Sequence, residues 1–131
     1  MLFTIRKNST LPILRMKIIE DSNVDYNKFM TMLENSAITF SMRDKLTGIY
    51  KIANKKGNIV LRKKRVNNAQ PDEYYIYYKW AKKDVDKAGV FEGQFSIDFV
   101  GSETGNLVVP INEELIIHVL DSFTLTTVTS V

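Results

Sequence analysis

The chain has 131 residues, no cysteine, a single histidine and a formal net charge of +3. One domain fits this length, and a chain of this size buries about two-thirds of its unfolded surface, enough for a core without staples. The missing cysteines exclude disulfides, zinc sites and thiol catalysis. No apolar run reaches the roughly 18 residues of a membrane span, and the opening Met1-Leu2-Phe3-Thr4-Ile5-Arg6 lacks the pattern of a secretory signal.

Residues 2–6 read as a short edge strand, and Lys7-Asn8-Ser9-Thr10 as a turn. Pro12 opens a second strand, in which Leu14, Met16 and Ile18 alternate with Arg15 and Lys17. The period then changes. Tyr26, Phe29, Met30 and Leu33 are spaced as one face of a helix, so a short helix is predicted over 25–35, with Asp25 as its N-cap. Alternation resumes at Ile38, Phe40 and Met42. Ile49 to Ala53 and Asn58 to Lys63 read as two short strands joined by a hairpin turn, Asn54-Lys55-Lys56-Gly57, with the glycine available for positive φ.

The segment Tyr74 to Trp80, followed through Asp84 to Gly89–Phe99, reads as two alternating strands with a short connector. Tyr74, Ile76, Tyr78 and Trp80 are assigned to the core, with Tyr75, Tyr77 and Lys79 outward. Phe91, Phe95, Ile97 and Phe99 face inward, and Glu92, Gln94, Ser96 and Asp98 face water. Two further β-like runs, Asn106 to Ile111 and Glu114 to Leu120, are separated by Pro110. Residues 124–131 read as a last edge strand or a tail that pairs with a neighbour. Eight or nine short strands at regular spacing predict a single all-β domain over 1–131, an antiparallel sandwich with one inserted helix.

Candidate chemistry is sparse. His118 would point outward beside Ile116 and Leu120, with no nucleophile elbow of the Gly-x-Ser-x-Gly kind in the chain. Asp84 and Asp86 lie in a mixed-sign run, Lys82-Lys83-Asp84-Val85-Asp86-Lys87, that reads as solvated and lacks the offsets of a calcium loop. No phosphate loop is present. No catalytic residue, metal ligand or cofactor is therefore assigned.

The one electrostatic feature is the basic hairpin 51–65. Its Lys55, Lys56, Arg62, Lys63 and Arg65 are the candidate contacts if the partner is nucleic acid, with Tyr75 and Tyr77 as stacking platforms nearby. Such charge is more often a solvated face or a guard against edge pairing. A carbohydrate-binding sandwich would instead need Tyr75, Tyr77 or Trp80 exposed, and Trp80 is expected to be buried.

The order of Thr10-Leu11-Pro12-Ile13-Leu14, Ala37–Arg43, Tyr78-Lys79-Trp80, Asp84, Gly89-Val90-Phe91-Glu92-Gly93-Gln94-Phe95 and Leu115–Val119 resembles the immunoglobulin-like N-terminal domain of phage baseplate upper proteins and related tailed-phage virion domains. The resemblance runs from about Phe3 to Leu120. It implies an immunoglobulin-like fold and a non-enzymatic structural role in the virion, as a baseplate, collar, fibre-adaptor or capsid-decoration module present in several copies. The expected partners are then other virion proteins and neighbouring copies, not a membrane and not nucleic acid. Tyr75, Tyr77, Ile116 and His118 are the candidate interface residues.

Overall fold

The computed structural model describes residues 1–18, 33, 35–63, 73–99, 105–111 and 113–122. Most of the helix predicted over 25–35 and the tail 124–131 lie outside them. Leu33, the last residue of the predicted helical stripe, is described and is fully buried in the core.

Described strands follow the alternation of the sequence: β1 (Leu2–Arg6), β2 (Leu14–Ile18), β3 (Ala37–Asp44), β4 (Tyr50–Lys56), β5 (Asn58–Lys63), β6 (Glu73–Tyr78), β7 (Gly89–Asp98), β8 (Asn106–Val109) and β9 (Leu115–Leu120). A 3-10 turn, Lys82–Val85, lies between β6 and β7. The larger sheet has the order β1-β9-β7-β3-β4, with β8 also on β7, and the smaller sheet has the order β2-β6-β5. This partition is that of an immunoglobulin sandwich. The smaller sheet supplies strands B, E and D, and β9, β7, β3 and β4 supply G, F, C and C′.

The larger sheet is mixed, not purely antiparallel as the sequence reading expects. β1 runs parallel to β9, pairing Leu2 with Ile116 and Arg6 with Leu120. That edge of β9 is free for a strand, and pairing there lets Ile5 bury its side chain at 2% exposure. The Met1 ammonium fixes the register by contacting a Glu113 carboxylate oxygen at 3.2 Å and the Glu114 carbonyl at 3.0 Å.

The expected basic hairpin does not form either. β4 pairs with β3 in one sheet and β5 pairs with β6 in the other, so residues 51–63 cross between sheets. The left-handed φ falls on Asn54, at 51°, where it builds a bulge in β4. Asparagine tolerates that conformation, and Ser41 Oγ accepts the Asn54 N–H at 2.9 Å. Gly57 serves a close approach rather than a turn. Its N–H donates to the Ile38 carbonyl at 2.8 Å, and a Cβ there would sit 2.8 Å from Ile38 Cγ2.

β6 and β7 likewise belong to different sheets, joined by the connector with the 3-10 turn. Their inward residues meet in one core. Ile76, Tyr78 and Trp80 come from the β6 side, and Phe91, Phe95 and Ile97 from β7, all under 5% exposed. Phe40 is the centre of this packing. Its ring lies 4.7 Å from Tyr78, 4.9 Å from Phe95 and 5.8 Å edge-on from Trp80, and such pairs contribute about 0.5–1.5 kcal/mol each beyond area burial. Gly93 makes room for it, because a Cβ there would lie 3.0 Å from the Phe40 ring and 2.8 Å from Ile117 Cδ1.

One further detail positions the outer surface. β7 pairs with β3 along one edge and divides its other edge between two strands. Gly89–Gly93 pair with Val119–Leu115, and Phe95–Asp98 pair with Val109–Asn106. β8 and β9 thus follow one another along the same edge of β7.

Candidate functional site

The outer face of the larger sheet carries rows of side chains set by the register. Leu2, Ile116, Glu92, Arg43 and Tyr50 lie on one row across five strands, and Thr4, His118 and Val90 on the next. Arg6 and Leu120 follow. Leu2 is 63% exposed, Val90 41% and Leu120 37%, with Ile116 half-buried between them. Leu2 lies directly opposite Ile116, about 5 Å away at Cβ, whereas Val90 is a diagonal neighbour of Ile116 and of Leu120, so the four form an apolar patch interrupted by Thr4 and His118.

Ion pairs bound that patch on one side. Arg43 Nε donates to Glu92 Oε1, and this contact holds the guanidinium pKa above its usual value. Lys45 Nζ reaches Glu114 at 3.0 Å. Beside them lies a depression of about 340 Å³, lined by Arg43, Tyr50, Glu92, Pro110, Glu113 and Glu114. The carboxylates there are held by Arg43, Lys45 and the Met1 ammonium, which leaves the depression electrostatically quiet.

His118 and Ile116 are outward on β9, as the alternation requires, and both are half-buried. The ladder neighbours of His118 are Thr4 and Val90, so no carboxylate orients the imidazole from either flanking strand at that position. Among the described residues, no group of three or more His, Asp or Glu side chains is placed to hold a metal ion.

Tyr75 and Tyr77 are outward and half-buried too, but on the smaller sheet. They occupy the opposite face of the sandwich from Ile116 and His118, so the four candidate interface residues make two surfaces and not one. The basic segment is divided as well. Lys51 pairs with Asp86 at 2.5 Å and Lys55 with Asp84 at 3.2 Å, while Lys56 is exposed at the crossing. Arg62 and Lys63 belong to β5, but their side chains, like Arg65, lie outside what is described. The crossing thus does not present its lysines as one stripe. Trp80 is 4% exposed, buried as expected, and offers no sugar platform.

The sequence reading missed Asp84. Far from being solvated, it is 2% exposed. Its carboxylate accepts the Tyr78 hydroxyl at 2.8 Å, the Ala81 N–H at 2.8 Å and the Lys55 ammonium at 3.2 Å. Burial, then the hydrogen bond to Asp84, pushes the Tyr78 phenol above its ordinary pKa. The available signal was positional: an acid three residues after Ala81 can turn back to cap the start of a helical turn. In this cluster the Asp84 carboxylate and the Tyr78 ring are buried, while the Lys55 side chain reaches solvent.

Comparison with protein-family models, with curated proteins and with solved structures finds no match.

Proposed function

We propose that this chain is a non-enzymatic docking module of a tailed-phage particle, present in several copies, and that it docks through the outer face of its larger sheet. The observation that carries the docking reading is the apolar patch of Leu2, Val90, Ile116 and Leu120 on a sheet face that also carries Thr4, His118, Tyr50 and the ion-paired Arg43 and Glu92. Apolar side chains ringed by polar ones are the anatomy of a protein interface. The sandwich is stiff, and a stiff face can be repeated around a symmetric assembly. The particle setting is supported by the sequence resemblance and by the immunoglobulin strand order that this resemblance implies. The partner is a neighbouring virion protein or a further copy of the chain.

Purified particles test the setting. The protein should be present at a fixed copy ratio; finding it free in infected cells and absent from particles overturns the reading. Val90→Lys with Ile116→Lys tests the face. The double variant should remain folded, with unfolding close to that of the parent, and should fail to enter particles. Normal incorporation would assign docking to another surface.

A further inference from the structure

The outer face of the smaller sheet has a different chemistry. The β2–β6 register sets Arg15 opposite Tyr77 and Lys17 opposite Tyr75. Each row therefore holds a cation beside an aromatic ring, with Cβ atoms about 5 Å apart. The rows repeat every second residue, about 6.8 Å along the strand. Lys79 adds a third cation, its Nζ 6.0 Å from the centre of the Tyr77 ring. On the third strand Asn58 lies opposite Tyr77 and completes that row with a half-exposed amide.

We propose that this face binds single-stranded nucleic acid, with Tyr75 and Tyr77 stacking on successive bases and Arg15 and Lys79 meeting the phosphates. Single-strand binding surfaces combine aromatic platforms with a cationic track, because every base offers a π-face and every linkage a charge. Duplexes do not fit the same chemistry, since their bases are already stacked on one another and their edges, not their faces, are what a protein reads. The Lys79 ammonium, which lies over the Tyr77 ring, is on a flexible stem and can move to a phosphate when a base takes its place. The crossing lysines contribute little, because Lys51 and Lys55 are already neutralised by Asp86 and Asp84. The proposal is independent of the docking reading, which uses the opposite face of the sandwich.

The test is fluorescence anisotropy of the full chain with short labelled oligothymidylate and oligouridylate. Binding should appear at about 50 mM salt and weaken toward about 200 mM with a log–log slope of about −1.4, the value for two phosphate contacts on a single strand. Tyr75→Ala and Tyr77→Ala should each weaken binding about tenfold, whereas Tyr75→Phe with Tyr77→Phe should keep affinity and fold alike. Arg15→Glu changes an exposed side chain, so it should leave thermal unfolding unchanged, weaken binding and flatten the salt slope. No binding by about 100 μM protein at the lower salt overturns the proposal, since even non-specific complexes form in that range. So does equal affinity for a duplex of the same length. Binding that survives loss of both rings and is matched by polyglutamate would show a simple cationic surface, and would also overturn it.

Discussion

The Lys55 ammonium meets the Asp84 carboxylate at 3.2 Å, and so ties the end of β4 to the connector that carries the chain from the smaller sheet back to the larger. Asp84 is 2% exposed and Lys55 40%, so the two partners are not equivalent. Removing the lysine leaves a carboxylate still held by Tyr78 and Ala81. Removing the carboxylate strands a buried hydroxyl and a helical-turn N–H together. Asp84→Ala should therefore cost about 3 kcal/mol, the sum of two hydrogen bonds to a charged group at about 1.5 kcal/mol each. Lys55→Met should cost clearly less. Urea unfolding of the two variants measures the difference, and equal losses would contradict this account.

The same cluster sets an alkaline limit. Tyr78 has its pKa raised by burial and by Asp84. Above about pH 10 the unfolded chain loses the phenol proton while the folded chain keeps it, so stability contributed by this group is complete below that pH and falls as pH rises. The ionisation of Tyr78 should coincide with unfolding. A pH titration of tyrosinate absorbance against circular dichroism checks this, with Tyr78→Phe removing the coincident step.

At the acid end the sign reverses. Asp44 is lowered below its usual pKa of 3.8 by the backbone N–H groups of Thr47 and Leu46, and Asp86 is lowered by its hydrogen bond to Lys51. Both contributions are present above that value and are lost as pH falls through the lower folded values. The two should separate by salt. The Asp86 contribution rests on an exposed ion pair and should shrink at high ionic strength, while that of Asp44 rests on backbone dipoles and should persist. Melting temperatures from pH 5 down to 2, for Asp44→Asn and Asp86→Asn at about 0.1 M and about 1 M salt, give the comparison.

Gly93→Ala should destabilise by about 1–3 kcal/mol, the usual range for an extra methyl in a filled core. The added Cβ meets Phe40 and Ile117. Phe40→Leu in the same chain should recover part of the loss, giving a double-mutant coupling that two independent sites would not show.

Trp80 gives a subtler expectation. Its indole N–H is buried without a protein acceptor among the described residues, while the ring packs on Phe3, Phe40 and Tyr78. Trp80→Phe loses area but also removes an unmatched donor, whose burial costs about 1–3 kcal/mol. It should cost far less than Trp80→Ala, for which about 3–5 kcal/mol is expected. Chemical denaturation ranks the two.

Much of the fold is readable in the alternation of single strands. Leu14 and Met16, Phe40 and Met42, Phe91 and Phe95, and Ile117 and Val119 are inward where period two puts them. Alternation is local, however, and does not say which sheet a strand joins. Asn54-Lys55-Lys56-Gly57 has the composition of a turn, yet the chain crosses between sheets there, because the edges of β3 and β6 each take one half. The parallel seat of β1 beside β9 joins residues more than a hundred positions apart and leaves no local mark. Asp84 was hidden for a different reason. Its neighbours are lysines and another aspartate, and only the turn geometry brings its carboxylate back under Tyr78. The outward placement of Tyr75, Tyr77, Ile116 and His118 was legible from parity. That they lie on two opposed faces was not.

The divided edge of β7 gives the molecule a place where length is free. β8 and β9 each take their alignment from β7 separately, and of the described residues between them Pro110 and Ile111 lie outside the β7 ladder and apart from the Met1 contacts at Glu113 and Glu114. A peptide spliced in at Ile111 should leave both flanking strands in place. Its preceding residue, Pro110, lines the depression with Tyr50 and Glu92, at the rim of the proposed docking patch. The sandwich thus has a natural grafting point, at which an added loop could enlarge or redirect its contacts while the strands beneath keep their alignment.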